Sequence, residues 1–95
     1  MNEDELSDMG AELLSNKSLI KVLSVLSEHG ELNITAVSHL SGLNHGSTDK
    51  HLRNLMRLGL VLEKRYGSIR IFKTHFRALN LVFQEGRPLS VEVQG

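Results

Sequence analysis

The chain has 95 residues, the length of one small domain, and its 40% hydrophobic and 23% charged content is ordinary for a globular protein. It contains no cysteine, which excludes a disulfide framework, a thiolate metal site and a cysteine nucleophile. No apolar run approaches membrane-spanning length, and the acidic start is unlike a secretion signal. We therefore expect a soluble, cytoplasmic protein without a membrane partner.

The 11 acidic and 11 basic residues cancel, but they are unevenly distributed. Residues 1–31 contain seven acids and two bases, whereas residues 32–95 contain four acids and nine bases. Eight of those nine bases lie between positions 50 and 77. This asymmetry predicts one side that faces a polyanion and an acidic side that faces away from it. The alternative is that the charges are uneven by chance.

Two helices are predicted first along the chain. The first covers residues 2–14, with Asn2 as its cap and a narrow apolar stripe along one side. A helix this short is not stable alone, so it must pack on another surface. This stripe consists of Leu6, Met9 and Leu13. The second helix covers residues 16–29, begins at Ser15 or Asn16, and stops at Gly30.

The next two predicted helices are short and closely spaced. Asn33 caps a helix that ends at Gly42, and Asn44 caps another that runs through the stretch 44–60. About three residues including a glycine separate the two helices, which is the signature of a helix-turn-helix.

The helix within 44–60 has two chemically different faces. Thr48, Leu52 and Leu55 recur at helical spacing on one side. The opposite side holds small, cationic and amide groups, namely Gly46, Lys50, Arg53, Asn54 and Arg57. Such a helix could lie on a core and present its polar face to a DNA groove. Taken alone, the pattern is more often that of an ordinary amphipathic surface helix, so the interpretation depends on the neighbouring elements.

After Gly59 the sequence pattern changes from helical to alternating. Residues 60–66 and 69–73 predict a short hairpin with basic residues near its turn. Thr74 is then expected to cap a last, strongly apolar helix over residues 75–86. The tail, residues 87–95, alternates in polarity and is interpreted as either a short strand or a disordered segment.

A last helix this apolar is either deeply buried or part of an oligomer interface. Few elements remain to cover it, so we favour a homodimer interface formed together with the N-terminal helix. The expected interface residues are Leu6, Met9, Leu13, Phe76, Leu79, Val82 and Phe83. The chain is thus predicted to be one domain in four parts: an N-terminal helix (1–15), a core (16–74), a dimerisation helix (75–86) and a tail (87–95).

This order of elements is typical of a winged helix, and residues 32–61 resemble the helix-turn-helix core of small microbial (prokaryotic or archaeal) transcriptional regulators of the ArsR and MarR type. The resemblance rests on shared motif positions: Leu32, Asn33, Gly42-Leu43, Ser47-Thr48, Lys50-His51-Leu52-Arg53, Leu55 and Gly59-Leu60-Val61. It implies a mainly α protein with a small β-hairpin (α+β), a winged helix-turn-helix that binds double-stranded DNA.

The residues expected to contact DNA lie on the two short helices and on the basic hairpin, which is the wing of the predicted fold. They are Thr35, Ser38, His45, Gly46, Ser47, Lys50, Arg53, Asn54, Arg57, Lys64, Arg65 and Arg70. Lys50 and Arg53 can donate to guanine, and the wing residues suit phosphates or the minor groove. Asp49 would repel phosphate, so we expect it to turn aside, accept from a cytosine amine, or pair with Arg53.

The favoured function is a homodimeric, sequence-specific regulator, with repression favoured over activation. The alternatives are a winged-helix module that binds protein and a non-specific architectural or DNA-segregation protein. No arrangement of residues typical of an enzyme, a metal site, a cofactor site or an effector site is legible. His39, His45 and His51 are expected near the DNA side, where their protonation would strengthen binding at acidic pH.

Overall fold

The structure, a computed structural model, describes residues 3–95, and the cap expected at Asn2 lies outside them. Four helices and five strands follow one another along this part of the chain. They are α1 (Glu3–Leu14), α2 (Lys17–His29), β1 (Leu32–Asn33), α3 (Ile34–Ser41), α4 (His45–Arg57), β2 (Val61–Tyr66), β3 (Ile69–Thr74), β4 (Ala78–Val82) and β5 (Ser90–Gln94).

Asparagine caps fix the beginnings of the three helices α2, α3 and α4. The side-chain oxygens of Asn16, Asn33 and Asn44 each accept from a backbone N–H three residues further on. The donors are Leu19 at 3.0 Å, Ala36 at 2.8 Å and Ser47 at 2.8 Å. The predicted caps Asn33 and Asn44 are therefore confirmed, and Asn16 caps α2.

The turn between α3 and α4 depends on Gly42, whose φ of 71° lies in the left-handed region. Its backbone N–H donates to the carbonyls at the end of α3, and the chain then reaches the next cap within two residues. Glycine adopts this conformation without the steric penalty of a Cβ. The predicted helix-turn-helix geometry is thus set by one glycine and the cap that follows it.

A three-stranded sheet with the order β1-β3-β2 closes the helical core. Its central strand pairs with both neighbours in antiparallel register, and Leu32 and Glu63 both lie opposite Phe72. The Phe72 ring is fully buried and packs with Leu52 and Leu55 of α4 in one hydrophobic core. The hairpin β2–β3, hereafter the wing, is therefore fixed to the helix that precedes it. The predicted winged helix-turn-helix is confirmed.

The helix predicted over residues 75–86 is wrong. Residues Ala78–Val82 form strand β4, which pairs with β5 in a second antiparallel sheet. Ala78 lies opposite Gln94, and Val82 lies opposite Ser90. The physical reason is the alternation of half-buried Leu79 and Leu81 with exposed Asn80, which suits a sheet with one covered face. The tail accordingly contains a strand.

The N-terminal helix packs on this second hairpin. Met9 and Leu13 are each only 2% exposed and belong to the core of the single chain. This burial corrects the expectation that these two side chains face a second copy. The other expected interface residues differ: Leu6, Phe76 and Leu79 are half-buried against the core, Val82 is half-buried, and Phe83 is 75% exposed.

Helix α1 approaches the C-terminal segment most closely at Gly10. A Cβ on this residue would lie 2.8 Å from Cδ2 of Leu89 and 3.4 Å from Cγ2 of Val91. Real side chains do not tolerate the shorter distance, so the absence of a side chain permits the contact. The two ends of the described chain are thereby packed together.

Candidate nucleic-acid interface

Helix α4 is positioned by its buried face. Thr48, Leu52 and Leu55 are fully buried against the core, as their spacing predicts. The opposite side is open: Lys50 and Arg53 are exposed, and the Arg53 side chain is 72% exposed. Gly46 and Arg57 are also exposed, whereas Ser47 and Asn54 are half-buried. The polar face predicted for this helix is thus accessible from its first turn onward.

A buried pair of hydroxyl groups joins α3 to α4. Ser38 Oγ donates to Thr48 Oγ1 at 2.8 Å, and Thr48 Oγ1 donates to the Asn44 carbonyl at 2.8 Å. Ser38 is only 8% exposed. The expectation that Ser38 contacts phosphate is therefore wrong, because its hydroxyl is committed to fixing the angle between the two helices.

The opening of the helix-turn-helix holds two further predicted residues. Thr35 Oγ1 of α3 lies 3.4 Å from His45 Nε2 at the start of α4, and both side chains are exposed. A Cβ on the neighbouring Gly46 would meet only the Asn44 side chain, at 3.5 Å. The space at Gly46 in the first turn of α4 is therefore open, and it lies beside two polar side chains.

Asp49 faces two arginines. Its Oδ2 lies 2.8 Å from Arg53 Nη2, four residues further along α4, so the predicted pair with Arg53 is present. Its Oδ1 lies 3.7 Å from Nη1 of Arg70, which belongs to the wing strand β3. One carboxylate of the exposed helix is thereby shared between that helix and the wing.

Arg70 is held from three directions. Its Nε donates to Glu63 Oε1 on the paired strand, its Nη1 faces Asp49, and its guanidinium lies 5.2 Å from the centre of the Phe72 ring. Glu63 also meets Arg65, at 3.4 Å between Oε2 and Nε. The hydrogen bond from Arg70 lowers the pKa of Glu63. We call Asp49, Arg53, Glu63, Arg65 and Arg70 the arginine–carboxylate cluster.

Two other predicted DNA contacts are ion-paired with the acidic part of the chain. Arg57 Nη2 lies 2.7 Å from Glu12 Oε1 on α1, and Lys64 Nζ lies 2.9 Å from Glu31 Oε1 before β1. The second pair lowers the pKa of Glu31 and raises the pKa of Lys64. The acidic residues within 1–31 therefore do not all face away from the basic segment, contrary to expectation.

The sequence interpretation missed these carboxylates because their partners lie 33 to 45 residues away along the chain. The only signal was the complementary charge of the two parts. Lys50 differs from the other cations of α4, since among residues 3–95 no carboxylate oxygen lies within 4.0 Å of its amine. Lys50 is therefore the cation of this face that is available without breaking an ion pair.

The three histidines expected near the DNA side are not equivalent. His39 and His45 are exposed, but His51 is only 8% exposed and points into the domain. Its Nδ1 has no hydrogen-bond partner within the described part of the chain. Burial, and secondly the charge of Lys50, lowers the pKa of His51. The expectation that His51 contributes a charge toward DNA is therefore wrong.

The described residues contain neither a cluster of metal-ligating side chains nor a membrane-spanning helix. Within residues 3–95 no three His, Asp or Glu side chains converge to hold a metal ion, and no helix combines the length and apolarity needed to cross a bilayer. An apolar cavity of about 500 Å³ lies between α1, the end of α4 and β5. It is lined mainly by Leu6, Met9, Leu58, Leu60, Val91 and Val93.

Comparison with known structures reveals similar folds in bacterial proteins. The chain is similar to the homodimeric winged helix-turn-helix DNA-binding domain of a possible ArsR-family transcriptional regulator from Mycobacterium bovis, with 24% identity and a TM-score of 0.64. The likeness covers 75% of this chain and 64% of that domain, which is less than two thirds. A crystal structure of a possible transcriptional regulatory protein (fragment 1–100) from M. bovis has the same identity and TM-score, with 75% and 74% coverage.

A third similar structure is the Zα domain of PKZ from Carassius auratus in complex with Z-DNA. It has 19% identity and a TM-score of 0.56, and the likeness covers 61% of this chain and 92% of that domain. Among curated protein sequences, none matches the chain significantly. These structural likenesses concern the fold, and the ArsR or MarR subtype stays a prediction.

A family model matches the central part of the chain. Residues 19–64 match the IclR helix-turn-helix domain, from within α2 to within β2. The matched segment includes both short helices, the Gly42 turn and Asp49, but neither α1 nor the second hairpin. The chain therefore has a winged helix-turn-helix fold whose central segment is similar to the helix-turn-helix domain of the IclR type.

Proposed function

We propose that the protein is a sequence-specific double-stranded DNA-binding regulator of transcription that inserts α4 into the major groove. The observation that carries this proposal is the exposed face of α4, where Lys50 and Arg53 project from a helix anchored by a fully buried opposite face. Support also comes from the IclR helix-turn-helix match over residues 19–64. An anchored helix with exposed donors suits the reading of base edges.

The roles of individual residues follow from their placement. The small first turn around Gly46 lets the helix backbone approach the groove, and Lys50 and Arg53 donate to guanine acceptors. Thr35 and His45 lie at the same opening and suit phosphate contacts. We assign Ser47 and Asn54 to the edges of the contact, since both are half-buried.

The wing contributes contacts to the phosphate backbone or the minor groove of the DNA. Arg65 is the most exposed of its predicted contacts, with 67% of the side chain accessible, and its pair with Glu63 is long at 3.4 Å. Arg70 and Lys64 are held more closely by carboxylates. Arg57 is paired with α1 and can reach DNA only by leaving Glu12. We therefore rank Arg65 first among the wing contacts.

We propose further that the protein acts as a homodimer, so that two copies of α4 read half-sites about one duplex turn apart. The M. bovis domain with a similar fold is described as homodimeric. With Met9 and Leu13 buried, the remaining predicted interface comprises the half-buried and exposed apolar residues beside the second hairpin. These are Leu6, Phe76, Leu79, Val82 and Phe83.

The decisive experiment is selection of bound duplexes from a random pool, followed by measurement of the mass of the complex. The expected result is a consensus of two related half-sites and a mass of two chains per duplex. A pool that shows no enrichment contradicts sequence-specific binding. In the cell we expect such a protein in the cytoplasm and acting as a repressor, which reporter expression with the selected site placed over a promoter would test.

Substitution of the exposed face tests where DNA binds. Lys50→Ala combined with Arg53→Ala should weaken binding to the selected duplex by about 10- to 1000-fold. Each good base contact contributes about 1–3 kcal/mol to the discrimination between bases, and each substitution removes part of that free energy. The matched control is Lys17→Ala with Lys21→Ala, which removes the same charge from exposed positions of α2. Equal losses in both double variants would contradict this placement of the interface.

A winged-helix module that binds protein is the second candidate. The observation that favours it is the pairing of Arg57 and Lys64 with carboxylates, which lowers the positive charge offered to phosphate. Its signature would be retention of a protein partner after nuclease treatment, with no shift of any duplex at low salt.

A further inference from the structure

The arginine–carboxylate cluster places two negative charges within the surface proposed to meet a polyanion. Asp49 and Glu63 are the least exposed charged side chains of the cluster, at 23% and 21%, and lie between arginines that are 33%, 67% and 72% exposed. A surface built only to attract DNA would omit these acids, since each one repels phosphate. Their position therefore requires a different explanation from simple attraction.

The two carboxylates connect elements that are far apart in sequence. Asp49 joins Arg53 on α4 to Arg70 on β3, and Glu63 on β2 joins Arg70 to Arg65. The chain of contacts thus runs without interruption from the exposed helix to the tip side of the wing. An arginine in such a pair loses part of its rotamer freedom before it meets a ligand.

We propose that Asp49 is a positioning residue that orients Arg53 for guanine and keeps both Arg53 and Arg70 from binding phosphate indiscriminately. This inference rests on the proposed function. Arg53 uses part of its guanidinium for Asp49 at 2.8 Å and retains other N–H groups of the five-donor fork for a base edge. A phosphate, in contrast, must compete with the carboxylate for the same charge.

The consequence is a difference between two binding modes. Non-specific affinity depends on how many phosphates are neutralised, so an arginine held by Asp49 contributes less to it. In the specific complex the same pair stays intact and supplies a pre-oriented donor, which loses less entropy on binding. Asp49 therefore raises the ratio of specific to non-specific affinity rather than the affinity itself.

The test compares wild type with Asp49→Asn on two duplexes, the one selected by wild type from a random pool and a scrambled duplex of equal composition. The variant should bind the scrambled duplex about 3- to 10-fold more tightly and show a steeper salt dependence, by about one unit in the slope of log K against log salt. Binding to the selected duplex should stay equal or weaken, so the specificity ratio should fall by about 3- to 10-fold or more.

Two further variants separate positioning from general charge. Glu85→Gln removes one negative charge from the exposed turn of the second hairpin and should tighten both duplexes equally. Asp49→Glu keeps a carboxylate four residues before Arg53 and should restore most of the wild-type ratio. Thermal unfolding of each variant establishes that the fold is intact.

The outcomes distinguish this inference from the proposed function. If wild type enriches no sequence, both fail. If wild type enriches a site and Asp49→Asn keeps the same specificity ratio and salt slope, the positioning role is overturned while the proposed function stands. If Glu85→Gln lowers the ratio as much as Asp49→Asn, the effect is one of net charge, and the positioning role is likewise overturned.

Discussion

The two β-hairpins of this protein are both antiparallel strand pairs, but their surroundings are opposite. The wing adds its strand β3 to β1, places the fully buried Phe72 in the core, and keeps its charges on the outside. The hairpin β4–β5 forms a sheet by itself and rests on α1 through the close contact at Gly10. A single pair of strands is marginal alone, so it depends on the surface beneath it.

This difference teaches that strand pairing alone does not fix the role of a hairpin. In the wing, the anchor Phe72 is buried in the core, and the arginines with their carboxylates continue the same face of the hairpin beyond it. In the second hairpin, apolar residues remain at the surface, with Phe83 75% and Val93 43% exposed. The first arrangement suits a polar ligand, and the second suits an apolar partner such as another copy of the chain.

Removal of the wing's anchor should have the largest effect. Phe72→Ala should lower the free energy of unfolding by about 3–5 kcal/mol, because it leaves a cavity in a closed core. The matched change in the second hairpin, Val91→Ala, removes a smaller side chain that is 2% exposed and should cost about 2 kcal/mol. Urea unfolding of both variants measures the difference. A larger loss of unfolding free energy for Val91→Ala would show that the second hairpin, and not the wing, holds the more important anchor.

The packing of the second hairpin on α1 can be tested by substitution of Gly10. Gly10→Ala gains about 1 kcal/mol of helix propensity but forces Leu89 aside, at a cost of about 1–3 kcal/mol for overpacking. We expect net destabilisation and faster amide hydrogen exchange in β4 and β5, with the wing unchanged. Adding Leu89→Ala should restore slow exchange. Acceleration in the wing as well would show that the hairpins are not independent.

Acid should weaken the wing through Glu63. Its folded-state pKa lies below the ordinary 4.5, so its stabilisation is present above that pH and is lost as the pH falls through the lower folded-state value. Glu63→Gln should therefore be less stable than wild type at pH 6, by about 1 kcal/mol or less, and the difference should shrink as the pH falls below 4.5. Chemical unfolding at several pH values measures this. A constant difference across that range would exclude the ion pair as its cause.

Arg65 should show the smallest effect on stability. Its long pair with Glu63 is at the surface, so Arg65→Ala should change the free energy of unfolding by less than about 0.5 kcal/mol. The same variant should weaken DNA binding and reduce the salt slope by about one, as expected for a lost phosphate contact. Arg87→Ala, on the exposed turn of the other hairpin, is the matched control. If Arg65→Ala and Arg87→Ala weakened DNA binding equally, the proposed contact between Arg65 of the wing and DNA would be contradicted.

The sequence was most informative where structure is decided by neighbouring residues. Asn33, Gly42 and Asn44 set two helix boundaries through hydrogen bonds that span only a few positions, and the buried stripe of α4 follows from its period. The segment 75–86 was predicted as a helix because Phe76, Leu79 and Phe83 are spaced as on one helical side.

The error in that segment has a physical cause. Its strand partner lies in residues 90–94, and the covering surface is α1 at the other end of the chain, so neither is legible from the local pattern. The sequence did contain one indication of paired strands. Leu79, Asn80 and Leu81 alternate in polarity, and so does the later segment that contains Leu89, Val91 and Val93. The ion pair of Glu12 with Arg57 gave no comparable signal.

The contact of α1 with the second hairpin also has a consequence for how the chain folds. Gly10 and Leu89 meet across most of the sequence, so forming their contact closes a very long loop. Contacts within α2, α3, α4 and the wing span far shorter separations and are expected to form earlier. We therefore expect the segment that would read DNA to be assembled before the two ends of the chain are joined.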